Sequence, residues 1–268
     1  MKDIAVIMSV YKNDRLEFLI QAVDSILTQT YEKFDFYIQC DGLIDSKCDE
    51  YLNSLTDERV IIRYRDKNKG LAFSLNEILE ITLSQYQYFA RMDADDISLP
   101  DRFEKQLLFL NDNKNVDCVG TWAIEIDEEG EEYFRKEMPV DHNACFKLFE
   151  KRDCLIHPTV MFRNTYFRKA GLYPLHTYFG EDTIMWMQGF ANGCIFANIN
   201  EYLFKFRLDN AFFDRRRGWK HAKSIIKLRS QVNRTLKYGW KADVFMYMYA
   251  AAKMLPTQLL NLVYKSFR

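Results

Sequence analysis

The stretch FARMDADDISLPD, residues 89–101, decides how the rest of the chain is read. It opens on an apolar approach, Tyr88-Phe89-Ala90, of the kind that ends a buried strand. Three carboxylates then fall within four residues: Asp93, Asp95 and Asp96. Pro100 follows as the expected start of an amphipathic helix, with Ser98 upstream as its expected cap. Like charges crowded together are costly unless something positive sits among them. Hard oxygen ligands at a strand end commonly hold Mg²⁺ or Mn²⁺ shared with substrate phosphates. A DxD on its own also occurs as a solvated acidic loop, so its neighbours have to carry the reading.

Working outward, short apolar runs alternate with amphipathic ones. Strands are expected at 4–10, 34–39, 60–64 and 86–91, and helices at 16–29, 45–55 and 71–83. This β-α-β-α-β-α-β order argues for a parallel sheet with helices on both faces. The strands end in Tyr11, Asp41, Asn68 and Asp93. In an open α/β sheet such ends share the edge where ligands bind. Downstream, a helix is expected at 101–110 and a strand at 116–126, turning through 127–130 into a hairpin. A short helix at 144–150, an extended segment at 156–162, a helix at 183–191 and strands at 195–199 and 203–207 follow. Beyond Arg215 the pattern becomes helical and basic.

The 268 residues suit one large domain or a domain with an appendage, and 48% hydrophobic content supplies a core. The net charge of −1 hides a division. From Leu203 onward there are 15 Lys+Arg against 3 Asp+Glu, and before it 22 against 35. A basic end of this kind meets an anionic partner: nucleic acid, a membrane face or a diphosphate. The six scattered cysteines have no CxxC or zinc spacing, which fits reduced thiols in a cytoplasmic protein. The N-terminus shows no cleavable signal pattern, and no run has membrane-span length.

VIMSVYKNDRLEFLIQAVDSILTQTY (6–31), Asp41-Gly42, NKGLAFSLN (68–76), ARMDADDISLPDRFEKQ (90–106), IHPTVMF (156–162) and Gly180-Glu181-Asp182 occur in this order. Together they resemble the family 2 glycosyltransferases, over about residues 1–210, and most of all bacterial enzymes that build O-antigen or capsule units. The resemblance implies an α/β GT-A fold, Rossmann-like, with a mainly parallel central sheet and helices on both faces. The catalytic domain would span 1–215, with a nucleotide-sugar half (about 1–100) and an acceptor half (about 101–215). Residues 216–268 would form a C-terminal helical basic extension.

The same resemblance implies an inverting, non-processive transfer from a nucleoside-diphosphate sugar, most simply a UDP-hexose, to a lipid-diphosphate-linked saccharide. Mn²⁺ or Mg²⁺ would assist. It assigns the donor nucleotide to Ser9, Tyr11, Asp41, Asn68, Lys69, Gly70, Arg91, Asp93, Arg215 and Arg217. Tyr11, at the first strand end, would stack a base, and Asp41 would accept an imino proton; each also has a purely structural reading. Asn68-Lys69-Gly70 would offer backbone N–H groups and a cation. Asp95 would be the metal ligand, joined by Asp93 and by His157, a residue that equally fits a structural hydrogen bond. Asp182 would be the catalytic base, with Glu181 orienting the acceptor. The Gln-x-x-Arg-Trp signature of processive members is missing, which argues against a polymerising synthase.

In the tail, Trp219, Ala222, Ile226 and Val232 are expected on one helical stripe. A basic, aromatic tail suits an anionic membrane surface, and a lid packed on the catalytic domain suits the same pattern. The protein would then sit peripherally on the cytoplasmic face of the inner membrane. Two rival readings fit the sequence less well. A sugar-phosphate nucleotidyltransferase needs glycines where Met8-Ser9-Val10-Tyr11 stands. A nucleic-acid-binding module fits poorly with the acidic body, so no nucleic acid is expected.

Overall fold

Successive side chains of a strand point to opposite faces, and β1 (Ile4–Val10) buries both sets. Ile4, Val6, Met8 and Val10 join one apolar cluster with Leu19, Val23 and Ile26 of α1 (Leu16–Leu27) and Phe103, Leu107 and Leu110 of α4 (Arg102–Asp112). Ala5 and Ile7 join the other, with Leu75, Ile78 and Leu79 of α3 (Leu71–Thr82). A strand covered on both faces reads as a continuous apolar run, and this one does. The computed structural model describes residues 2–175, 180–208 and 218–255.

The remaining elements are β2 (Phe34–Asp41), α2 (Ser46–Ser54), β3 (Val60–Arg65), β4 (Tyr88–Arg91), β5 (Ile97–Ser98), β6 (Cys118–Ile126), β7 (Glu132–Lys136), α5 (His142–Phe149), β8 (Met161–Arg163), α6 (Asn164–Ala170), α7 (Glu181–Ala191), β9 (Phe196–Arg207), α8 (Trp219–Thr235) and α9 (Trp240–Ala252). The sheet order is β3-β2-β1-β4-β8-β6-β9-β5, with β7 hydrogen-bonded to β6. The first four strands are mutually parallel, as the alternating pattern predicts. β8 runs antiparallel between β4 and β6 and joins β1–β4 to the rest of the sheet. β6 and β9 pair in parallel.

Several local expectations shift. The segment 156–162 is not extended throughout: His157–Thr159 form a 3₁₀ turn led by Pro158, and only then does β8 begin. The two strands expected near 195–207 are one strand, β9, whose register against β6 slips on either side of Trp122. Ser98 caps nothing. It pairs with Phe204 in β5, and its hydroxyl accepts from Gln29 Nε2 at 3.1 Å, so α4 starts four residues later at Arg102. All six cysteines are buried free thiols.

The tail packs onto the body. Val232 of α8 is fully buried in the cluster that holds α7, and Ala250 of α9 closes on Ala222 and Ile225 of α8. The buried stripe of α8 is Ala222, Ile225, Arg229, Val232 and Asn233, while Trp219, expected on it, is exposed. Arg215 and Arg217 lie outside the described residues. No described helix is long and apolar enough to cross a membrane.

Candidate active site

The ends of β1, β2 and β4 and the loop after β3 meet at one cleft of about 880 Å³. That is within the range of small-molecule sites. Ser9, Tyr11, Asp41, Asn68, Gly70, Asp93 and Asp95 all line it. Asp14, Arg15, Glu128 and Arg207 also line it, and they carry no functional signal in the sequence. Glu181 and Asp182 begin α7 and are not among its described lining residues.

One side of the cleft is organised by Asp41, which is 3% exposed. One of its carboxylate oxygens accepts from Lys69 N at 2.7 Å and from the Arg65 guanidinium; the other accepts from Gly70 N at 2.8 Å. So two N–H groups expected to face a nucleotide are spent on Asp41. Lys69 Nζ lies 4.1 Å from the Phe73 ring centre instead. Asp41 O also accepts from Asn68 Nδ2 at 3.2 Å. The chain can approach this closely only because residue 42 is glycine. Its φ is +84°, and a Cβ there would lie 2.7 Å from Asn68 N. Tyr11, which also lines the cleft, is 40% exposed. Its backbone N–H donates to Asp14 Oδ2 at 2.8 Å. Burial pushes the Asp14 carboxyl up to about 8, against that hydrogen bond and helped by Asp95 and Asp93.

At the end of β4, Asp93, Asp95 and Asp96 each offer an oxygen within 4.8 Å of the others, the only such acidic, Cys or His cluster among the described residues. The fully buried Arg91 pairs with Asp93. Asp96 is buried, and its Oδ1 accepts from Arg207 N at 2.7 Å. Asp96 Oδ2 is buried with no hydrogen-bond partner. Asp95 keeps a solvent-open edge, yet the protein around it and then Asp93 push its carboxyl up to about 7, with Arg91 and Arg207 opposing. Burial, Asp95 and Asp93 push Asp96 well above the carboxylate range. Three hard oxygen donors, crowded and short of positive charge, fit a divalent cation such as Mn²⁺ or Mg²⁺.

His157 is not part of that cluster. Its Nε2 meets Tyr173 Oη at 2.9 Å, and burial and then Arg91 hold its imidazole well below the usual range. Tyr173 is fixed from α3: Asn76 Nδ2 donates to Tyr173 O, and Asn76 Oδ1 accepts from Tyr173 N, both at 2.9 Å. Burial pushes the Tyr173 hydroxyl up, Arg91 opposes, and the Asp182 and Glu181 carboxylates add to the rise. Tyr173 therefore lies within the fields of both Arg91 and the two acids that open α7.

The Glycosyl transferase family 2 model matches residues 5–173. The amylovoran biosynthesis glycosyltransferase AmsE of Erwinia amylovora is 28% identical, covering 98% of both chains. The UDP-Gal:alpha-D-GlcNAc-diphosphoundecaprenol beta-1,3-galactosyltransferase of Escherichia coli is 29% identical over 97% of this chain and 94% of its own. Among solved structures, mannosyltransferase PcManGT from Pyrobaculum calidifontis, in complex with GDP-Man and Mn²⁺, superposes with a TM-score of 0.66 at 13% identity, covering 98% of this chain and 79% of that one. S. aureus TarS 1–349 in complex with UDP-GlcNAc gives 0.64 at 12%, covering 93% and 80%. The fold is GT-A.

Proposed function

We propose, for a chain that belongs to the family 2 glycosyltransferases and is therefore a glycosyltransferase, an inverting, metal-dependent, non-processive transfer of one hexose. The donor is a UDP-sugar, and the acceptor is a saccharide on a lipid diphosphate, in assembly of a surface polysaccharide such as O-antigen or capsule. The observation that carries this reading is the convergence of Tyr11, Asp41 and the Asp93–Asp95 carboxylates on one cleft. The E. coli relative, a galactosyltransferase acting from UDP-Gal on GlcNAc-diphosphoundecaprenol, supports the substrate classes, and the amylovoran relative supports polysaccharide assembly.

In this reading Tyr11 stacks the base, and Asp41 accepts from its imide N–H with the one lone pair, on Oδ2, left over from Arg65, Lys69 and Gly70. Asp95 is the direct metal ligand, and Asp93 serves the ribose or the metal. Asp96 anchors the loop through Arg207 N. Asp95 and Asp93 would hold Mn²⁺ or Mg²⁺, which would supply positive charge against the diphosphate leaving group. Arg215 and Arg217, outside the described residues, are assigned to the donor nucleotide. Asp182 takes the proton of the acceptor hydroxyl as its oxygen attacks the anomeric carbon opposite the leaving group, while Glu181 orients the acceptor. One displacement with one base gives inversion. The outer face of α9 exposes Trp240, Val244, Tyr247 and Met248. Residues 218–255 carry eight Lys+Arg and one acid. That combination supports peripheral binding to an anionic, cytoplasm-facing membrane.

Asp182→Asn tests the reading. The amide keeps size but cannot take the proton, and loss of a general base costs about 10²–10⁴-fold. Transfer from UDP-galactose should collapse while calorimetry still finds UDP bound with Mn²⁺ at near wild-type affinity. Retained transfer, or a wild-type product of retained anomeric configuration, would refute it.

A further inference from the structure

The buried face of α8 contains a charge. Arg229 is 7% exposed, whereas Lys220, Lys223 and Lys227 of the same helix face solvent. Burying a guanidinium is costly unless it is paired and hydrogen-bonded. Here Arg229 Nη1 donates to Phe149 O at 2.9 Å, and Nη2 donates to Asp153 Oδ1 at 3.1 Å. The guanidinium also sits 5.2 Å from the centre of the Phe149 ring. Asp153 does not stop there. Both its oxygens accept from Thr183 Oγ1 at 2.9 Å. Thr183 is the residue after Asp182, and its N–H donates to Asp182 Oδ1 at 2.7 Å.

A second contact falls two residues before Asp182. Gly180, with φ +80°, leads into α7, and Ile184 N bonds back to its carbonyl at 3.0 Å. A Cβ on Gly180 would lie 2.5 Å from Leu228 Cδ2. Leu228 is the neighbour of Arg229 on α8. The tail helix thus reaches Asp182 from both sides along the chain, through Leu228–Gly180 and through Arg229–Asp153–Thr183.

We infer that α8 belongs to the catalytic apparatus, and that Arg229 is a positioning residue that sets the Glu181-Asp182 segment. The inference rests on Asp182 being the base. It makes α8 more than a lid or membrane anchor: its loss disables transfer even to an acceptor free in solution. A base must sit within hydrogen-bond reach of the proton it takes, and a misplacement of about 1 Å costs on the order of 10²-fold.

The test uses the full chain with UDP-galactose and a soluble N-acetylglucosaminyl-diphospho-alkyl acceptor. Arg229→Met keeps the stem and removes both donations. Its kcat should fall by about 10–100-fold, with KM for the donor and UDP–Mn²⁺ affinity unchanged. Arg229→Lys should recover part of the loss. Amide exchange should accelerate at residues 180–184 and stay at the wild-type rate at 93–97. Combined with Asp182→Asn, Arg229→Met should cost nothing more, because a positioning residue acts through the group it positions. Asp153→Ala, at a half-buried site, repeats the test if Arg229→Met fails to fold. Unaltered exchange at 180–184 in the folded variants, or losses that multiply in the double variant, would overturn the coupling. Retained transfer by Asp182→Asn would instead overturn the base assignment, so the two failures are told apart.

Discussion

Arg207→Met should loosen the acidic loop without touching an acid. Arg207 ends β9 and is buried. Its guanidinium donates to Asp95 O at 2.8 Å, Gln21 Oε1 at 2.7 Å, Asp127 O at 3.1 Å and Glu128 O at 3.2 Å. It lies 4.2 Å from the Phe18 ring centre. One side chain therefore ties the loop to α1 and to the β6–β7 turn. Methionine keeps the apolar stem and the backbone bond to Asp96 but loses all four donations. Each bond from a charged group is nominally worth about 1.5–3 kcal/mol. The losses overlap, and acceptors at a cleft wall can turn to water, so the net cost is about 2–4 kcal/mol. At roughly 2–4 °C per kcal/mol for a chain of this size, Tm falls by roughly 5–15 °C. Removing a group that orients a ligating loop typically costs about 10–100-fold in metal affinity. Calorimetry should therefore find the Mn²⁺-dependent part of UDP affinity reduced on that scale. Arg207→Lys should rescue little, since an ammonium cannot reach four acceptors from one planar fork. Wild-type Tm and metal-dependent affinity in Arg207→Met would refute the clamp. Full rescue by lysine would reduce it to a bare charge.

Three further outcomes follow from the same geometry. Asp95→Asn should abolish most transfer and the Mn²⁺-dependent part of UDP affinity, because an amide is a poorer ligand; full activity in excess EDTA would contradict the metal role. Gly42→Ala should cost about 1–2 kcal/mol for the left-handed backbone alone, plus the clash with Asn68 N, and urea unfolding should show at least that loss together with weaker UDP binding. Replacing Trp240 and Tyr247 by alanine should weaken sedimentation with anionic vesicles, and raised salt should weaken it further; equal binding by wild type and variant would leave α9 with no membrane role.

The first hundred residues were legible because their physics is local. Both faces of β1 and β2 are buried, so they read as apolar runs, and the helices between them keep a helical period. Strand ends then fall at one edge without any knowledge of side-chain contacts. Asp14, Asn76, Arg207, Asp153 and Arg229 were not legible, because their partners are brought to them by folding. Asn76 reads as a helix residue until Tyr173 arrives from 97 positions away. Arg229 breaks the rule that located the stripe of α8. A count of apolar positions passes over a buried cation and chose Trp219 and Ile226 instead. The hydroxyl of Ser98 was read as a cap because the sequence does not show Gln29 lying across it.

The motif at 90–106 also looked like one functional signature and is two. Its first part presents the carboxylates; its second part holds them up. Arg102, fully buried, donates from Nη2 to Arg91 O at 2.9 Å and to Val160 O at 3.3 Å. Burial, and then Arg91, draw its guanidinium down to about 9. Gln106, one turn on, donates to Val119 O at 3.1 Å and Thr159 O at 2.8 Å, and accepts from Arg102 Nε at 3.1 Å. Arg91 N in turn donates to Val160 O at 2.9 Å. The strand that delivers the acids is thus fastened from behind by α4 and β8, while Arg207 fastens the loop from the cleft side. Such double support is what crowded carboxylates require. Their repulsion would otherwise be relieved by splaying the loop, and the site would be lost before any cation arrived. The interval between Asp95 and Arg102 is set by this scaffold: a helix begun one residue early or late would turn Arg102 and Gln106 away from the carbonyls they hold.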